Sequence, residues 1–136
     1  MQSRKYWTIL FCLLLMISAC SFSAYSVLLN ENSPKYTYIQ SVAAGIEVGT
    51  VSTTVRGEID GSNEVTRVEI TLELQKRTSG IYSTIKTWSG SFNSKHATLQ
   101  KNKLTSPLNT YRLKATFTAY TSTSSETRII YAYDNN

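Results

Sequence analysis

Apolar residues recur at every second position through much of this chain, and no window sustains the spacing of a helix face. The cleanest stretch is 65–76. Val68, Ile70, Leu72 and Leu74 fall on one side, and Arg67, Glu69, Thr71, Glu73 and Gln75 on the other. Period two belongs to a strand with one buried face, and four apolar residues in register specify which face that is. Residues 51–60 alternate in the same way. Val51, Thr53, Val55, Gly57 and Ile59 point inward, and Ser52, Thr54, Arg56, Glu58 and Asp60 outward. Residues 111–121 put Tyr111, Leu113, Ala115, Phe117 and Ala119 inside, with Arg112, Lys114, Thr116, Thr118 and Tyr120 outside.

Four weaker strands complete the pattern. The first, 36–43, is expected to carry Tyr36, Tyr38 and Val42 on one side and Ile39 on the other. Residues 81–89 carry Tyr82, Ile85 and Trp88, with Tyr82 and Trp88 sharing a face. Segments 97–104 and 126–133 supply the remainder. Turn chemistry separates them: Gly61 within 60–63, Gly80 within 78–80, Pro107 within 106–109, and five small polar residues at 121–125. Gly45 and Gly49 suggest a kink or bulge after the first strand, and 90–95 reads as a polar connection. Evenly spaced strands, about seven of them, with no helix predict an all-β protein: one antiparallel Ig-like or fibronectin-like β-sandwich. A small barrel is the competing architecture. Tyr111, just past the Pro107 turn, has the position of a tyrosine corner, in which the phenol bonds backbone upstream; the alternative is an ordinary core tyrosine.

The first 26 residues depart from this pattern. Arg4 and Lys5 precede an uncharged apolar run over 7–17, followed by small residues at Ser18, Ala19, Cys20, Ser21, Ser23, Ala24 and Ser26. That order predicts a secretory signal peptide over 1–26, then a linker over 27–34 and the sandwich over 35–134. Ile17, Ser18, Ala19 and Cys20 also form a candidate lipid-attachment box. In that alternative the signal is 1–19 and Cys20 carries the lipid, anchoring the protein at the outer face of the cell membrane. The expected location is otherwise secreted. Cys12 and Cys20 are the chain's two cysteines, so the domain is expected to be disulfide-free and to depend on core burial and strand pairing.

Charge narrows the partners. Arg4 and Lys5 account for two of 14 basic residues, leaving 12 against 9 acidic ones, a balance of +3. This is far from the dense basic stripe of a nucleic-acid binder, so no nucleic-acid partner is expected. A mild positive balance suits ordinary solubility, and is compatible with anionic wall polymers or lipid head groups.

Catalytic chemistry finds little support. His96 is the one histidine, flanked by Lys95 and Ala97, and reads as solvated surface. Glu58 and Asp60 share a strand face, as do Glu69 and Glu73. Such pairs can serve glycoside hydrolysis, but alternation with Arg67, Thr71 and Gln75 favours a cross-strand lattice in which Arg112 and Lys114 pair with glutamates. Asp60, Ser62, Asn63 and Glu64 gather oxygen atoms without the spacing of a calcium loop. No catalytic residue, metal set or cofactor is expected. The candidate ligand-binding residues are Tyr82, Lys86, Trp88 and Tyr120, a possible aromatic platform with a cation beside it; core or boundary packing is the competing role.

Four segments carry a family resemblance: PKYTYIQSV over 34–42, ITLELQKRTSGIYSTIKTWSG over 70–90, YRLKATFTAY over 111–120, and SSET over 124–127. Together they resemble an uncharacterised family of small secreted proteins from low-GC Gram-positive bacteria. The resemblance implies an exported bacterial β-sandwich domain and carries over no site residue. The expected function is a monomeric, non-enzymatic interaction module of the cell surface or medium. Its ligand would be an extracellular glycan, wall polymer or protein. The alternative is a secreted bacteriocin-like effector acting on other cells.

Overall fold

Residues 36–134 are described in the computed structural model. The expected signal peptide and linker, with the candidate lipidation site Cys20, lie outside them. Seven strands follow in order: β1 (Ile39–Val48), β2 (Ser52–Gly61), β3 (Arg67–Thr78), β4 (Ile81–Phe92), β5 (His96–Leu104), β6 (Tyr111–Tyr120) and β7 (Ser125–Tyr133). All pairings are antiparallel. They form one sheet of order β1-β2-β5 and another of order β4-β3-β6-β7. Strand β1 lies against β6 and β7, and β5 against β3 and β4, without ladder pairing between the sheets. The molecule is therefore a β-sandwich, and the barrel is excluded.

The three clean alternations place the core as expected. Val55 and Ile59 of β2, Val68, Ile70, Leu72 and Leu74 of β3, and Leu113, Ala115, Phe117 and Ala119 of β6 are buried between the sheets. Gly57 lies where β2 comes close to β3 and β6. A Cβ there would stand 2.8 Å from Leu72 Cδ2 and 3.2 Å from both Ile70 Cγ2 and Phe117 Cε1. Val51, expected inside, is instead 69% exposed, because the chain is still in the turn before β2.

Two bulges reset the side-chain phase where the weaker alternations mislead. The first lies in β1, where Ile39 faces Gly61 but Ser41 faces Asp60. The extra residue, Gln40, lets Ile39 and then Val42, Ala44, Ile46 and Val48 all approach the core. Ile39 and Val42 therefore do not point to opposite sides. Strand β1 starts at Ile39 rather than residue 36 and runs through Gly45, which pairs regularly with Arg56; the glycines do not mark the bulge. The second bulge lies on β4. Leu74 faces Lys86 and Gln75 faces Thr84, leaving Ile85 as the inserted residue. Tyr82 therefore belongs to the outer face with Gln75 and Arg77, whereas Trp88, opposite Leu72, turns toward the core. The expected shared face of Tyr82 and Trp88 is corrected by that one residue.

Turn boundaries move by small steps. The β2–β3 turn closes with Val65 N donating to Ser62 O, two residues beyond the expected start. Strand β4 continues through Gly90 to Phe92, and the last hairpin loop spans 121–124, since Ser125 already pairs with Tyr120. The β3–β4 turn is as expected, with positive φ at Ser79 (52°) and Gly80 (82°), as a two-residue hairpin loop of primed type requires. The tyrosine corner is also present: the buried Tyr111 phenol donates to Ser106 O at 3.1 Å.

Candidate functional site

The outer face of the four-stranded sheet is lined largely by polar side chains. Register arranges them in rows across β4, β3, β6 and β7: Thr84–Gln75–Arg112–Tyr133, Thr87–Glu73–Lys114–Tyr131, Ser89–Thr71–Thr116–Ile129 and Ser91–Glu69–Thr118–Thr127. Within them the expected cross-strand lattice is formed in part: Lys114 pairs with a glutamate, whereas Arg112 takes the neutral Gln75 instead. Lys114 Nζ lies 2.8 Å from Glu73 Oε2, and Arg67 bridges to Glu69 at 3.2 Å. The hydrogen bond and charge of Glu73 raise the Lys114 pKa above its ordinary 10.5.

One end of this face is aromatic. Tyr82 from edge strand β4 and Tyr133 from edge strand β7 meet edge to face, with ring centroids 6.4 Å apart. Their strands are about 14 Å apart at ordinary strand spacing, so the two side chains lean toward each other over the middle of the sheet. The Arg112 guanidinium stacks among them, 4.1 Å from the Tyr82 centroid and 4.8 Å from that of Tyr131. Its Nε donates to Gln75 Oε1 at 2.7 Å, and Gln75 Nε2 donates to Thr84 Oγ1 at 3.1 Å. Gln75 is thereby buried on a face that otherwise meets solvent, with both ends of its amide satisfied. The stack is a fixed platform: the arginine is held by a neutral partner, and the rings of Tyr131 and Tyr133 remain exposed.

The turns at this end add apolar surface. Val51, Ile81, Leu104 and Leu108 are 69%, 72%, 80% and 93% exposed. They come from the β1–β2 turn, the start of β4, the end of β5 and the β5–β6 loop, which gather at one end of the sandwich.

The four candidate residues do not form one surface. Tyr82 belongs to the aromatic platform. Tyr120 is on the same sheet face but faces Arg67, while Tyr82 faces Arg77; these lie at opposite ends of β3, roughly 33 Å apart in an extended strand. The Tyr120 phenol donates to Glu69 Oε2 at 2.9 Å beneath the Arg67 guanidinium, 4.0 Å from its ring centroid. That hydrogen bond, together with burial, raises its pKa above the ordinary 10.0. Lys86 and Trp88 stand on the inner side of β4 at the lateral opening of the sandwich, with Trp88 half-buried against the core.

Carboxylate pairs sit on open faces. Glu58 bridges to Arg56 at 2.9 Å, and Asp60 lies 3.0 Å from Nδ1 of the exposed His96. Among the described residues no cluster of His, Cys, Asp or Glu has the arrangement of a metal site.

Sequence reading misses two features. One is the Tyr131–Tyr133 half of the platform. The alternation puts both rings on one side of β7, but joining them to Tyr82 requires knowing that β4 and β7 are the two edges of one sheet. The other is Glu126. It occupies an inward position of β7, in phase with Arg128, Ile130 and Ala132, and an inward charge on a strand demands a partner. Its carboxylate accepts from Thr37 N at 2.8 Å, Tyr38 N at 2.8 Å and Ile39 N at 2.7 Å. Tyr36 lies beneath the Arg128 guanidinium, 5.0 Å from it, so the segment entering β1 covers both charges. Burial pushes the Glu126 pKa up, but the three backbone donors outweigh it and hold the pKa below 4.5.

Searches of the chain against protein-family models, curated proteins and solved structures return no match.

Proposed function

We propose that the chain is an exported, non-enzymatic binding module of fibronectin-like topology, with the outer face of β4-β3-β6-β7 as its recognition surface. The sheet order and the Tyr111–Ser106 bond support the topology. The observation that carries the function is the Tyr82–Arg112–Tyr131–Tyr133 platform. Tyr and Arg dominate binding hot spots because they present large, partly apolar contact area with fixed polar tips. Here the arginine is already ordered by stacking and by Gln75, so little side-chain entropy remains to be lost on association. The exposed apolar turns at the same end extend the surface beyond what scattered exposure requires. A glycan, a wall polymer or a protein of the envelope suits such a face.

The test is retention of the protein on purified cell-wall fractions and whole cells, beside a Tyr131→Ala/Tyr133→Ala variant of unchanged fold. The wild type should be retained and the variant should wash through. Equal retention of the two would refute the assignment of the face.

A further inference from the structure

Strands β4 and β5 are edge strands of different sheets and border the same lateral opening of the sandwich. Near the Leu108 end, the inward positions around that opening are lysines. Lys86 faces Leu74, Lys101 faces Val55, and Lys103 faces Thr53, and all three of these partners are fully buried. On β3, the inward series Val68, Ile70, Leu72 and Leu74 ends in Lys76, which is half-buried. Parity thus directs four lysine stems into one opening, from which their ammonium groups reach solvent. None of the four forms a salt bridge with a described residue.

The described acidic residues lie away from this opening; Asp134, although at the same end, follows β7, the edge strand on the other side of the sheet from β4. Glu58 and Asp60 occupy the outer face of β2, with Glu47 on the same face of β1. Glu69 and Glu73 occupy the outer face of β3, and Glu64 and Glu126 belong to the opposite end. Trp88 is the next inward residue after Lys86 and is half-buried, so a flat ring borders the same opening.

We propose that this opening binds an extended polyanion, a polymer bearing phosphate or carboxylate groups along its length, with Trp88 flanking the bound chain. Four uncompensated ammonium groups on facing strands create a local positive field well beyond that expected from the chain's mild net charge. Guarding an edge strand against pairing with another chain needs only single inward lysines. Gathering them from three strands around one aromatic ring is the arrangement a linear polyanion fits. This surface is distinct from the tyrosine platform, so failure of one assignment leaves the other standing.

The test uses the intact protein with two probes, linear polyphosphate and polygalacturonate, followed by fluorescence titration over a range of ionic strength. The wild type should bind one or both, and the arm that responds identifies phosphate or carboxylate as the recognised group. Trp88 is the one tryptophan in residues 27–136, so the fluorescence change should vanish in Trp88→Phe. A Lys86→Gln/Lys101→Gln/Lys103→Gln variant should bind roughly tenfold or more weakly, with the log–log salt slope reduced by about 2. The corresponding Lys→Arg triple should bind like the wild type. An Arg56→Gln/Arg67→Gln/Lys95→Gln variant, of equal net charge, should also keep its affinity. Equal loss in the two charge-removal variants would overturn the proposal by reducing it to net charge. So would binding of neither polymer, binding only to phosphatidylglycerol vesicles, or a lysine variant that aggregates yet binds undiminished.

Discussion

Glu126 offers the sharpest test of how this sandwich is closed. One carboxylate accepts three consecutive backbone N–H groups where the chain enters β1, linking the edge of the three-stranded sheet to β7. Thr37 and Tyr38 precede the β1–β2 ladder, which begins at Ile39 opposite Gly61. Glu126→Ala would orphan all three. The Thr37 N–H is exposed and regains water, whereas those of Tyr38 and Ile39 are partly buried. At about 1–2 kcal/mol for each of the latter, the expected loss is roughly 2–4 kcal/mol. That is a large share of a small domain's stability. Glu126→Gln keeps one acceptor oxygen and loses the charge, so about 1–2 kcal/mol should go. Folding lowers the Glu126 pKa, so its contribution is complete above the ordinary 4.5 and is lost as pH falls through the lowered folded value. The gap between wild type and Glu126→Gln should therefore be widest near neutrality. It should narrow below pH 4.5 as the protonated acid comes to resemble the amide. Denaturant unfolding followed by Trp88 emission at a series of pH values measures it. A gap that stays constant, or widens on acidification, would refute the clamp.

Gly57→Ala should destabilise the sandwich by about 1–3 kcal/mol, because its Cβ would press on Leu72, Ile70 and Phe117 of the facing sheet; thermal melting reads this, and an unchanged midpoint would mean the sheets can separate freely there. Tyr111→Phe keeps the buried ring and leaves Ser106 O without its phenol donor. A loss of about 1 kcal/mol in denaturant unfolding, with the slope unchanged, is expected.

Legibility in the sequence followed the number of consecutive inward apolar residues. Strands β2, β3 and β6 alternate without interruption through the core, and their inward sets match the structure apart from Val51 at the margin. Strands β1 and β4 each contain an inserted residue, Gln40 and Ile85, and neither is a glycine or otherwise chemically marked. A bulge is set by how a strand must bend to meet its partner, and that partner is distant in sequence, so local composition carried no signal. For the candidate site the consequence was direct: Ile85 separated Tyr82 from Trp88, and the aromatic partners of Tyr82 came from the last strand. The lysines show the same dependence. Lys86 looked like a lone cation beside a platform, and only the pairing of β5 with β2 places Lys101 and Lys103 around the same opening. Glu126 could have been found earlier, since Ile130 and Ala132 set an inward phase that makes it an inward carboxylate.

The two ends of the sandwich differ in how their charged and apolar groups are satisfied, and the difference bears on the two proposed recognition surfaces. At the Asn63 end, three carboxylates are consumed internally, with the exposed Glu64 apart: Glu126 by three backbone donors, Glu69 by Tyr120 and Arg67, Asp60 by His96. At the Leu108 end, Val51, Ile81, Leu104 and Leu108 stay in water, the rings of Tyr131 and Tyr133 stay open, and four lysines lack acidic partners among the described residues. Exposing those groups does not weaken the core, because the buried rows of β2, β3 and β6 lie between the ends and close without them. The groups left unsatisfied therefore gather where binding can satisfy them without remodelling the fold. That separation predicts that substitutions in the platform or the lysine opening will change retention and affinity while leaving the unfolding midpoint nearly unmoved. Substitutions at Glu126 should do the reverse. A platform variant that lost both together would show that the exposed end is part of the fold's support.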